Sequence, residues 1–184
     1  MTAILDAAQE LFRTGADASM TDIARAAGMG RVTLYGHFES REHLVEALLA
    51  RATAATERII ADADVDSGTA TEALARLVRG SWRTLDQHRG LHAAAARSLP
   101  PERLRQHHGG VLRHLEDLVR RGQDAGEFRA DLPVDWLVSV VYAVMHNAAD
   151  EVDAGRLPPE EAADVLVATL TGLLTARPSR PEGR

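Results

Sequence analysis

Cysteine is absent from this chain, which excludes disulfides, thiol catalysis and cysteine-ligated metal sites. Lysine is absent too, so every one of the 21 basic side chains is Arg. Aromatics make up 4% of the residues, and the interior must therefore be filled by Ala, Leu and Val, which suits close-packed helices. Positive charge is in deficit: the net charge of −6 is an awkward sign for a partner that carries phosphates. Long apolar runs are lacking as well. The longest uncharged stretch, Trp136 to Ala149, has fourteen residues and is too short to span a bilayer. Asp6 and Glu10 interrupt the first apolar pattern, so the N-terminus does not read as a signal peptide. These absences predict a soluble, cytoplasmic protein with no membrane partner.

The 184 residues, 45% of them hydrophobic, allow one mid-sized domain or a small one joined to a larger one. The most informative stretch is Met20 to Phe38. Ser19 and Asp22 have the spacing of a capping box, which starts a short helix carrying Ile23 and Ala27 on one face. Gly28 is placed to take the positive φ of a sharp helix exit, and Leu34 then turns a second helix back onto Ile23. Small residue, glycine and apolar residue at these offsets predict a helix-turn-helix, whose second helix lies in the DNA major groove. Residues 1–51 carry five Arg against seven acidic residues, but between Gly28 and Arg41 the balance is +1. Arg31, in the first turn of the second helix, sits at the positive end of the helix dipole, where a cation is disfavoured. An outside partner is therefore expected, and Arg fits guanine's O6 and N7 with two hydrogen bonds.

Outside this stretch the pattern is helical. Apolar spacing predicts helices at about Thr2–Thr14 (stopped by Gly15), Ser40–Ala61 with Leu44, Leu48 and Ile59 inward, and Thr71–Gln87. Asp62–Thr69 reads as a turn. Gly90 is expected to interrupt before a short alanine-rich helix from Leu91 to Leu99. Gly109-Gly110 costs the next helix about 2 kcal/mol relative to two alanines and calls for a kink or break. The last two helices, from Val134 and from about Glu160 to Ala176, are apolar over wide arcs. One protomer covers only one side of such a helix, which predicts a homodimer seam.

Chemistry-bearing patterns are few. His88 and His92 have the i, i+4 spacing of a zinc pair, but Gly90 lies between them and no third ligand is evident. His107, His108 and His114 carry less, and the paired acids Asp150-Glu151 and Glu160-Glu161 flank helix ends as solvated charge does. No nucleophile elbow, Walker loop or H-E-x-x-H occurs. No enzyme, metal or cofactor is expected.

Ile4 to Ala8 with Leu11-Phe12, Thr21 to Ala24, and Thr33-Leu34-Tyr35-Gly36-His37-Phe38 resemble the DNA-binding domain of the TetR family of transcriptional regulators. The likeness covers about the first fifty residues, with a looser echo in Arg-Gly-Gln-x-x-Gly-Glu-Phe, Arg121 to Phe128. The resemblance implies an all-α fold, with a three-helix helix-turn-helix domain at 1–46 and a helical ligand-binding and dimerisation domain at 47–184. It implies a repressor released from a pseudo-palindromic DNA operator by a small-molecule effector. On that pattern Thr21, Arg31, Val32 and Tyr35 face bases or sugar methyls, while Thr33, His37 and Arg41 hold phosphates. Gly36 departs from a bulkier residue, and Gly30 replaces a capping serine. The first helix starts almost at Met1, which leaves no room for the basic arm of many relatives. Trp82, Tyr142, Met145 and His146 lie on helices that enclose the effector pocket in the resembled family; ordinary core accounts for them equally well. A constitutive DNA-binding dimer without effector, or a small helical enzyme, remains as an alternative.

Overall fold

The computed structural model describes residues 1–13 and 18–175. Ten helices form them: α1 (Thr2–Arg13), α2 (Met20–Ala26), α3 (Arg31–His37), α4 (Arg41–Asp62), α5 (Ala70–Gln87), α6 (Arg89–Ser98), α7 (Pro101–His107), α8 (Gly109–Asp124), α9 (Val134–Asp153) and α10 (Pro159–Leu174). The only strand-like feature among the described residues is an isolated antiparallel bridge between Phe128 and Thr175. Gly15 and Ala176, expected at helix ends, lie outside the described residues. The fold is all-α, and no helix described is long and apolar enough to cross a membrane.

The chain divides into two units, residues 1–58 with 83–110 and residues 59–82 with 111–184, the divisions falling inside α4, α5 and α8. In the first unit, Ile4, Ala8 and Phe12 of α1 meet Ile23, Leu34, Leu44, Leu48 and Leu91 in one core. Leu91, Ala94 and Ala95 put α6 into the same core as the first three helices. Gly90 does not interrupt there. It lies within α6, where a Cβ would overlap the Phe12 carbonyl oxygen, so the missing side chain is what lets α6 approach the backbone of α1. At the double glycine the helix breaks rather than bends: α7 ends at His107 and α8 restarts at Gly109.

In the second unit α5 presents Leu74, Leu77, Val78 and Trp82 inward, as its spacing predicts. Ile60 (0% exposed) takes the fully buried place expected for Ile59, whose Cγ2 would lie 2.9 Å from a Cβ at Gly80. Every early N–H of α5 has a partner. Glu127 accepts from Ala70 N (3.0 Å) and Thr71 N (3.0 Å), the Thr69 hydroxyl from Glu72 N (3.1 Å), and the Thr69 carbonyl from Ala73 N (3.0 Å). The two backbone donors hold the Glu127 carboxyl below its usual range.

The Arg121–Phe128 run works as a clamp. Arg121 donates to Asp66 O (2.7 Å), and Gln123 donates to Arg129 O (2.9 Å) and Leu132 O (3.1 Å). Gly122 leaves room for the buried Phe128 ring, which a Cβ would overlap, and Gly126 takes φ +71°. Beside it, Arg129 N donates to Leu174 O at 2.7 Å and ties the end of α10 to the connector before α9.

Candidate DNA-reading helix and ligand-binding interior

The geometry of α2 and α3 follows from a few residues. Ser19 Oγ accepts from Asp22 N (3.2 Å) while the Asp22 carboxylate accepts from Ser19 N (3.1 Å), a complete capping box. The Ser19 hydroxyl, and then its N–H, hold the Asp22 carboxyl below its usual range. Gly28 at φ +67° ends α2, with Gly28 N donating to Arg25 O (3.1 Å) and Met29 N to Ala24 O (3.0 Å). This pair of bonds is the Schellman arrangement, which needs a left-handed residue at that position. Ile23 and Leu34 are both fully buried, each worth about 1.5–3 kcal/mol against about 1 for a cap, so packing more than capping fixes the angle of α3.

Leu34 is the single buried residue of α3; Arg31, Val32, Thr33, Tyr35, Gly36 and His37 are all exposed. Val32 is 89% exposed and Tyr35 42%, apolar surface on a helix already anchored from below. Thr21, on α2, is half-buried. Gly36 has open space around it, so a side chain would project outward there. Gly30 caps α3 without a side-chain hydrogen bond.

The two arginines assigned to DNA differ. Among the described residues Arg31 makes no hydrogen bond or ion pair, and Glu39 is instead 3.8 Å from His43. Arg41 is engaged internally: Nε donates to Ala18 O (3.2 Å), Nη1 to Ser98 Oγ (2.6 Å), and the guanidinium lies 5.6 Å from the centre of the Phe12 ring. It therefore braces α1, the residues before α2 and the end of α6. No local pattern points to Ser98, fifty-seven residues on, as its partner.

Of the residues expected in a ligand pocket, Trp82 (4% exposed) lies on α5, while Tyr142, Met145 (8%) and His146 lie on α9. The pair brought into direct contact is Tyr142 and His146, with ring centres 4.1 Å apart. His146 Nδ1 is 2.9 Å from Tyr142 O; a carbonyl only accepts, so Nδ1 carries the proton. Burial pushes the His146 pKa below its ordinary value, against the opposing pull of the Tyr142 carbonyl and Asp150. Sequence reading missed Ser81, next to Trp82, whose buried hydroxyl has no hydrogen-bond partner among the described residues.

An anchored helix-turn-helix whose second helix leaves six of its seven residues exposed defines the protein as a helix-turn-helix DNA-binding regulator. Comparison with known proteins makes this specific. Residues 4–48 match the model of the bacterial regulatory proteins of the tetR family, and residues 69–175 match that of the SbtR-like transcriptional-regulator C-terminal domain. The chain belongs to the TetR family and is a DNA-binding transcriptional regulator rather than an enzyme.

Two curated relatives are the HTH-type transcriptional repressor LfrR of Mycolicibacterium smegmatis and the regulator NfxB of Pseudomonas aeruginosa. LfrR is 28% identical, covering 94% of this chain and 89% of its own; NfxB is 26% identical, covering 81% and 80%. Among solved structures, FadR of Bacillus subtilis in complex with stearoyl-CoA superposes with a TM-score of 0.75 at 20% identity, covering 94% of this chain and 98% of its own. The structure of LfrR in complex with proflavine gives 0.71 at 24%, with 96% of each chain covered.

Proposed function

We propose that the protein is a homodimeric, cytoplasmic repressor that leaves a pseudo-palindromic operator when a small molecule occupies its second unit. The observation that carries the DNA half is the outward face of α3, above all Arg31, without a partner among the described residues, and Val32 at 89% exposure. Arg31, Val32 and Tyr35, with Thr21 at the edge, read bases and sugar methyls; Thr33 and His37 hold phosphates. Arg41 is already held by Ala18 and Ser98, so its first role is to brace the reading head. Residues 1–46 do the reading, and 47–184 bind the effector and dimerise.

The dimer reading rests on apolar surface at the end of the chain. Trp136 is 58% exposed and Val165 43%, and Ala143, Ala168 and Gly172 are exposed on the same two helices, α9 and α10. Two copies related by a twofold axis would cover these faces on each other and set two α3 helices on a repeated site. Trp82, Tyr142, Met145 and a neutral His146, with the Ser81 hydroxyl, suit an effector with a large apolar body and one polar group. The relatives' ligands, proflavine for LfrR and stearoyl-CoA for FadR, differ widely, so the fold alone does not choose the effector.

The test is release of a fluorescent operator in the presence of a library of apolar compounds. A compound that weakens binding by wild type, but not by Tyr142→Ala, supports the reading. Release that is indifferent to Trp82, Tyr142 and His146 substitutions refutes this assignment of the pocket.

A further inference from the structure

We propose that His92 and His108 form a binding site for a borderline transition-metal cation, of the Zn²⁺, Ni²⁺ or Cu²⁺ class, inside the first unit. The sequence pairs His92 with His88, but the fold uses His88 elsewhere. Its Nδ1 is 2.8 Å from Thr84 O and must donate, which leaves Nε2 to accept from the Gln9 amide at 3.2 Å. His92 meets His108 instead, sixteen residues on. The two rings stack with centres 5.5 Å apart and planes inclined by 29°, and they offer ring nitrogens within 4.8 Å of each other.

The tautomer of His108 suits a ligand. Its Nδ1 lies 2.8 Å from the Leu104 carbonyl, which can only accept, so the proton is on Nδ1 and the lone pair on Nε2. A backbone carbonyl fixing one nitrogen of a metal-ligating histidine is a common supporting contact. His108 is 8% exposed, so this orientation is held by packing. At Zn–N distances of about 2.0–2.1 Å in a tetrahedral site the two nitrogens would stand about 3.3 Å apart, which a small rotation of the half-buried His92 ring supplies. Imidazole nitrogens favour these metals over Mg²⁺ or Ca²⁺, which take oxygen ligands. The site joins α6 to the end of α7. Because α6 packs on α1 through Gly90 and reaches Arg41 through Ser98, a bound cation would stiffen the support beneath the reading head.

The full chain, stripped with a chelator, is titrated with ZnCl₂ against a chromophoric competitor and with CoCl₂ followed by visible absorption. The variants are His92→Ala, His108→Ala and, as a control on α4, the exposed His43→Ala, each checked for helicity by circular dichroism. The proposal expects one cation per protomer, binding weakened about 10- to 100-fold or more by either His92→Ala or His108→Ala and unchanged by His43→Ala. Zn²⁺ should raise the melting temperature of the wild type and not of His92→Ala. If His108→Ala does not fold, His92→Ala alone decides. No stoichiometric cation, or binding that survives loss of His92, overturns the proposal; so does binding lost in His43→Ala, which identifies an adventitious surface site.

Discussion

Arg31 and Arg41 have the same side chain ten residues apart, and their surroundings give them different work. Arg31 has no partner among the described residues, at a helix start where the dipole disfavours its charge by a few tenths to about 1 kcal/mol. Bound DNA would return that cost. Arg31→Ala should weaken operator binding by about 1–3 kcal/mol per half-site and relax preference at one base pair, with the salt slope little changed. Anisotropy on cognate and singly substituted operators across a salt series checks this; uniform weakening with base preference intact would make Arg31 a phosphate contact. At His146 the prediction concerns pH. The folded-state pKa lies below the ordinary 6.5, so the unfolded chain takes up the proton first. The stability this neutral ring contributes is present above about pH 6.5 and falls away as pH drops through the window below it. His146→Gln should flatten the melting-temperature profile between pH 7 and 5, as differential scanning fluorimetry would report.

At the scale of elements, the clamp that starts α5 offers the clearest prediction. Glu127 has a folded-state pKa below its ordinary value, so its contribution is present above about pH 4.5 and lost as pH falls through the folded value. Glu127→Gln should lower stability by about 1 kcal/mol, the cost of a lost cap at a largely solvated site, with most of the difference gone at acid pH. Urea denaturation at pH 7 and at pH 3.5 measures both. Gly90→Ala should cost more than a surface substitution, because the new Cβ meets backbone of α1 rather than a movable side chain. Loss of helicity or DNA binding well before that of Gly36→Ala, in open space, is the expected order in parallel melts.

These two sites also mark what the sequence reveals. Ser19, Gly28 and Leu34 act within fifteen residues of one another, so their spacing alone predicts the helix-turn-helix. The inward stripe of α5 is equally legible, because burial follows the helical period. Gly90 reads as a breaker since its reason for being small, the Phe12 carbonyl, lies far along the chain. Glu127 capping Ala70, Ser98 meeting Arg41 and His108 meeting His92 are likewise long-range pairings that no local pattern encodes. The outward face of α3 was therefore visible in the sequence, and its internal bracing was not.

For the whole molecule, charge and symmetry have to be reconciled. A net charge of −6 repels DNA at long range, so non-specific affinity should be low and salt-sensitive. On the proposed reading, specific binding then depends on two reading helices acting together through paired apolar faces of α9 and α10. Val165→Glu, at a site 43% exposed, should leave the fold intact and shift light-scattering mass from twice 19.9 kDa toward 19.9 kDa. Selection of bound DNA from a random pool tests the central claim most directly, with wild type and Arg31→Ala side by side. The account predicts an inverted repeat whose half-sites are about one helical turn apart, with preference relaxed at one symmetric base pair in the variant. A single unrepeated motif, or no enriched motif at all, would contradict it.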